Sequence, residues 1–147
     1  MKVTRFLMII IFAFTVIGTA KADNDRPIRF EQLPEKSKEF IRKFFSEKDI
    51  SYIKMESEFL FKSYEVYFVD GSKVEFDKRG EWDNVECKKR KIPDGIAPDK
   101  IARYVEKNHS NSKIIKIDRD SRSYEIELDN NVEIKFDMRF NVIEYDD

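Results

Sequence analysis

Residues 64–77 read YEVYFVDGSKVEFD, and residues 124–137 read YEIELDNNVEIKFD. Tyr64, Glu65, Val66, Phe68, Val74, Phe76 and Asp77 fall on Tyr124, Glu125, Ile126, Leu128, Ile134, Phe136 and Asp137 at a constant offset of 60 residues. A fixed internal period marks a duplicated structural unit. Apolar and polar residues alternate along both stretches, as in strands with one buried and one wet face. Asp70-Gly71 and Asn130-Asn131 stand where a tight hairpin turn needs residues that tolerate positive φ. Each stretch therefore reads as a pair of antiparallel strands.

Working outward, Ile53-Lys54-Met55-Glu56 aligns with Ile115-Lys116-Ile117-Asp118 at an offset of 62, and Leu33-Pro34-Glu35-Lys36 with Ala97-Pro98-Asp99-Lys100 at 64. The offset shrinks at two intervening turns, where length changes are tolerated. Pro34 and Pro98 stand where a helix starts, since the missing N–H costs nothing in a first turn. Phe40, Ile41, Phe44 and Phe45 make one apolar helical stripe; Ile101, Tyr104 and Val105 make a thinner one. Trp82 to Glu86 and Val142 to Tyr145 add a short strand to each half. The predicted fold is α+β: two tandem helix-plus-four-strand repeats, 23–91 and 92–147, forming one antiparallel sheet with both helices packed on one face. The two repeats together make one compact domain, joined at Ile92-Pro93-Asp94-Gly95.

Residues 1–22 stand apart. Lys2 and Arg5 precede an apolar run from Phe6 to Gly18, and Ala20-Lys21-Ala22 is a small-x-small cleavage pattern. That run spans about 20 Å as a helix, short of a ~30 Å bilayer core. The expectation is a signal peptide cleaved after Ala22, a mature chain that is periplasmic or secreted, and no membrane span within it. Losing Lys2, Arg5 and Lys21 takes the net charge from −1 to −4. Charges of both signs interleave, apart from Lys88-Lys89-Arg90-Lys91 between the repeats, so a nucleic-acid partner is not expected. Cys87 is the single cysteine, which leaves no internal disulfide framework.

The pattern of Leu33-Pro34 opening a helix, then Tyr64-Glu65-Val66, Asp70-Gly71, Val74-Glu75-Phe76-Asp77 and Gly80-Glu81-Trp82, resembles the PepSY-like, beta-lactamase-inhibitor-like domains of exported Bacteroides-type proteins. The resemblance covers nearly all of the mature chain, as two copies. The second copy departs from it, with Asn131 at the turn glycine and Arg139-Phe140-Asn141-Val142 in place of Arg79-Gly80-Glu81-Trp82. Its motifs are structural; what it implies is a sheet face and hairpin loops presented to a protein, as inhibitors of this type of fold plug an enzyme cleft.

Chemistry is harder to find. His109 is the only histidine, at a helix end, and no nucleophile signature surrounds Cys87. Asp118-Arg119-Asp120-Ser121 starts like a calcium loop but lacks the mid-loop glycine and carries arginine among its acids. No catalytic residue, metal site or cofactor is therefore expected, and the chain reads as a non-enzymatic binding module. Its expected contact residues are Phe59, Leu60 and Phe61, three large apolar groups at a hairpin tip, with Tyr67 and Trp82 beside them. The competing readings place the hairpin residues over the core at the ends of longer strands, and Trp82 inside the core, the preferred place for that indole. A small-ligand or envelope-signal sensor, with a pocket between helices and sheet, is the alternative function.

Overall fold

The computed structural model describes residues 24–147; the signal peptide read at 1–22 lies outside them. In chain order the elements are β1 (Arg26–Ile28), α1 (Glu35–Phe44), β2 (Ile50–Glu58), β3 (Phe61–Phe68), β4 (Lys73–Phe76), β5 (Trp82–Glu86), α2 (Asp99–Asn108), β6 (Ile114–Arg119), β7 (Ser123–Leu128), β8 (Glu133–Asp137) and β9 (Val142–Asp146), with short 3-10 turns at Phe30–Gln32 and Glu47–Asp49. All nine strands form one antiparallel sheet in sequence order.

This corrects the expected two tandem helix-plus-four-strand repeats. The sheet begins with β1, a strand ahead of the first helix that the helix-plus-four-strand unit does not contain, and the ladder does not break at the linker. Asn84, Val85 and Glu86 of β5 pair with Asp118, Ile117 and Lys116 of β6. The architecture is thus one nine-stranded sheet carrying two helices. The reason lies in β1: three residues with a proline in the middle carry no alternation to read, yet Pro27 is tolerated because an edge strand has one unpaired side.

One rank of residues crosses the whole sheet. Ile28, Ile53, Val66, Val74, Val85, Ile117, Ile126, Ile134 and Tyr145 stand directly opposite one another from β1 to β9. The seven inner members are all buried. A one-residue slip anywhere would turn this rank to solvent, so the hydrophobic pattern pins the register. Phe76 and Phe136 lie on the same face, two residues from Val74 and Ile134, and both are fully buried. Phe40 of α1 meets Phe76 edge-on at 5.6 Å, and Tyr104 of α2 meets Phe136 edge-on at 5.4 Å. Both helices therefore cover one face of the sheet, and the other is open to water.

The start of α1 is seated on the β4–β5 turn. Gly80 there has φ +83°, and a β-carbon on it would stand 2.6 Å from Pro34 Cβ and 2.8 Å from Ser37 Oγ. Ser37, fully buried, donates to the Gly80 carbonyl at 3.2 Å. Glycine is required here both by the backbone conformation and by the approach of the helix.

Candidate functional site

The β2–β3 ladder continues to the pair Glu58 and Phe61, leaving Phe59 and Leu60 as a two-residue turn. The strands thus run as far as the core-capping alternative required, but the side chains cover nothing: Phe59, Leu60 and Phe61 are 94%, 72% and 79% exposed. Phe59 also holds φ +49°, in the left-handed region that favours glycine and asparagine. A bulky aromatic group held there, fully in water, is disfavoured twice, by conformation and by solvation.

The other two sequence-selected residues do not join this tip. Tyr67 lies on the open face, six residues along β3 from Phe61, about 20 Å at ~3.3 Å per residue. Its ring stacks on Tyr52 at 4.4 Å, and its hydroxyl donates to Glu65 Oε2 at 2.5 Å, which raises its pKa together with burial. Trp82 faces the helices, half-buried, with Phe40 at 6.1 Å and the Arg119 guanidinium 4.0 Å above its ring. Arg119 Nε donates to the Trp82 carbonyl at 2.6 Å, clamping the indole from outside. Of the five residues, the tip brings together Phe59, Leu60 and Phe61.

Sequence reasoning gave the open face a role but, Tyr67 apart, singled out none of its residues. One rank there runs Lys54, Glu65, Glu75, Asn84, Asp118, Glu125, Lys135, Glu144; the next runs Tyr52, Tyr67, Lys73, Glu86, Lys116, Glu127, Glu133, Asp146. Nine of these positions are acidic and four are lysine, so the face is negative. Lys54 is its best-satisfied cation, with Asp25, Glu56 and Glu65 at 3.0, 2.7 and 3.1 Å, and these hydrogen bonds raise its pKa.

At the centre the ladder bulges. Trp82 pairs with Phe76 and Asn84 with Glu75, so Asp83 is an extra residue. Asp83 and Asn84 line a cleft of about 260 Å³ with Glu75, Asp118 and Glu125. Asn84 is 7% exposed and its Nδ2 donates to Asp118 Oδ1 at 2.5 Å. Its Oδ1 and Asp83 Oδ1 are buried without a donor. Burial, reinforced by Glu75, Asp77 and Asp118, pushes the Asp83 carboxyl up to about 6. A signal for the bulge was present: two polar residues between Trp82 and Val85 break the alternation of a strand whose flanks both turn inward.

The remaining candidates have structural employment. Asp120 Oδ1 accepts from the backbone N–H groups of Arg122 and Ser123 at 2.7 and 2.9 Å, capping the β6–β7 turn. His109 ends α2 and stacks on Tyr145 at 6.0 Å. Cys87 is fully buried, and burial pushes its thiol up, away from the reactive thiolate. Among the described residues no group of three or more His, Cys, Asp or Glu is placed to hold a metal ion, and no helix is long and apolar enough to cross a membrane.

Comparison with known proteins places these features in context. A family described as "Putative beta-lactamase-inhibitor-like, PepSY-like" matches residues 62–144. Among solved structures, a periplasmic protein of the DUF2874 family from Bacteroides vulgatus is 45% identical, with a TM-score of 0.82, over 86% of this chain and 99% of that one. A protein from Bacteroides thetaiotaomicron described as a "putative calcium-regulated periplasmic protein" is 46% identical, TM-score 0.81, over 84% and 97%. A further periplasmic protein of unknown function from Bacteroides vulgatus is 34% identical, TM-score 0.77, over 84% and 99%. No match was found among curated proteins.

Proposed function

Since the chain belongs to the PepSY-like, beta-lactamase-inhibitor-like family, we propose that it is a non-catalytic binding module of the periplasm, exported by cleavage after Ala22. It presents the open sheet face and the β2–β3 hairpin to a protein partner, and inhibition or regulation of an enzyme is the use this arrangement suits. The observation that carries the reading is the hairpin tip. Three large apolar side chains stand in water on a turn that disfavours one of them, and burial against a partner is what would repay that cost. Such a tip is a wedge, the shape that enters a cleft.

The test is capture from envelope extract of the native organism. The parent chain should retain a protein that the Phe59→Ser/Leu60→Ser/Phe61→Ser variant, shown by circular dichroism to be folded, does not retain. The parent chain and the retained protein, each purified, should bind one another in isolation. Equal capture by parent and variant would remove the hairpin from the interface.

A second reading, small-ligand sensing, is favoured by one feature. A groove of about 800 Å³ lies between the 89–95 linker and α2, with Pro93, Ala97, Ala102, Val105 and Ile114 among its lining beside Lys89, Lys91, Lys113, Asp94 and Glu106. An apolar lining beside charged groups suits an amphiphilic ligand. A medium-chain fatty acid raising the melting temperature of the parent but not of Val105→Asp would support it. Calcium regulation, named for one relative, is not carried over: among the described residues no group of three or more His, Cys, Asp or Glu is placed to hold the ion.

A further inference from the structure

The open face works against itself. Glu65 stands opposite Glu75, Asp118 opposite Glu125, Glu127 opposite Glu133, and Glu133 opposite Asp146. Like charges directly across a ladder are unfavourable. At the middle of the face, the cleft around the bulge adds two buried acceptors with nothing to accept, Asp83 Oδ1 and Asn84 Oδ1. Arg119 lines the same cleft, but its guanidinium is held over Trp82 and bonded to the Trp82 carbonyl. Lys135, in the opposite wall, reaches neither oxygen.

We propose that the cleft of Asp83, Asn84, Asp118 and Glu125 receives a cationic side chain, arginine in preference to lysine, from a polypeptide laid across the open face of the sheet. The inference rests on the protein-binding reading above and supplies the chemistry of the partner. Charge complementarity argues for a cation. The number of acceptors argues for a guanidinium: its planar fork carries five N–H donors and can serve neighbouring oxygens at once, where an ammonium offers three donors from one point. A divalent ion fits less well, because Arg119 and Lys135 share the walls and no three ligating residues converge among the described residues. The occupant is a polypeptide because the cleft sits within two ranks of charged residues that run from strand to strand across the open face, a surface an extended chain can follow.

The test needs no knowledge of the natural partner. Blocked peptides alternating glycine with arginine, lysine or glutamate are titrated into the 15N-labelled chain at about 0.15 M salt, where exposed charges are already screened. The arginine peptide should move the Asn84 side-chain amide and the backbone amides of Glu75, Asp83 and Asp118. It should bind more tightly than the lysine peptide, and the glutamate peptide should leave these signals in place. Asp83→Asn and Glu125→Gln should each weaken it about fivefold or more, the effect of losing one charged acceptor. Glu39→Gln, on the exposed side of α1, should leave binding unchanged. Unmoved cleft signals, or equal binding of all three peptides, overturn the inference. So do calcium ions that shift the cleft signals where the arginine peptide does not, which would assign the cleft to a metal. Failure of the peptide with hairpin-dependent capture intact removes this cleft and leaves the binding-module reading standing; loss of capture with peptide binding intact does the reverse.

Discussion

Asp83 is the residue whose chemistry reports most directly on the open face. Its folded carboxyl titrates at about 6 against 3.8 for the free group, chiefly through burial and then through Glu75, Asp77 and Asp118. The folded chain holds that proton where the unfolded chain has lost it. Stability from this group is therefore present in acid and lost as pH rises from about 4 to about 6. Asp83→Asn should be more stable than the parent near pH 7.5, by about 1 kcal/mol once the half-exposed site is discounted for screening, and indistinguishable from it below about pH 4. Thermal melts at both pH values check this, and an offset that does not change with pH would refute it. Gly80 gives the opposite kind of prediction. Gly80→Ala adds a β-carbon against Pro34 and Ser37 in a backbone state that alanine resists, so it should cost about 2 kcal/mol or more in urea denaturation.

Among the elements, the β2–β3 hairpin shows how far the sequence could be read. Alternation along Tyr64 to Phe68 and Val74 to Phe76 placed the strands, because half-buried strands leave that trace. The exposure of Phe59, Leu60 and Phe61 left no such trace: three consecutive apolar residues read as a strand end over the core or as a tip. Only the turn geometry decides, and turn geometry depends on which residues pair. Trp82 was offered as a neighbour of the hairpin with the core as its preferred place, and the bulge at Asp83, which lets Trp82 and Val85 both face the helices, sets it on the core side. The acidic cleft was missed for the same reason, since its members come from four strands and meet only through register. β1 was missed because three residues with a central proline have no period. The hairpin also allows a prediction that separates stability from function. Phe59→Asn suits a positive φ, so it should stabilise the chain by about 0.5–1 kcal/mol while weakening partner capture. A variant destabilised by more than about 1 kcal/mol would instead assign the ring a packing role.

For the molecule as a whole, continuity of the sheet across β5 and β6 makes cooperativity the quantity to measure. Phe136, fully buried beneath α2, should cost about 3–5 kcal/mol when replaced by alanine. Trp82 lies on the other side of the β5–β6 seam and supplies the chain's one indole signal. In a single cooperative unit, Phe136→Ala should shift the Trp82 fluorescence transition and the circular dichroism transition together. A fluorescence midpoint that stays in place while the dichroism midpoint falls would divide the sheet into two folding units. The strand order has one more consequence. Because the nine strands lie in the order in which the chain supplies them, every strand after the first finds its partner among residues already synthesised. Only β1 has to wait, for β2 beyond α1, and only the β1–β2 and β5–β6 closures must span a helix. A chain threaded end-first through a narrow channel could therefore assemble as it emerges, each new strand docking on the margin left by the last, without an interval in which any strand beyond β1 stands unpaired for want of a later one.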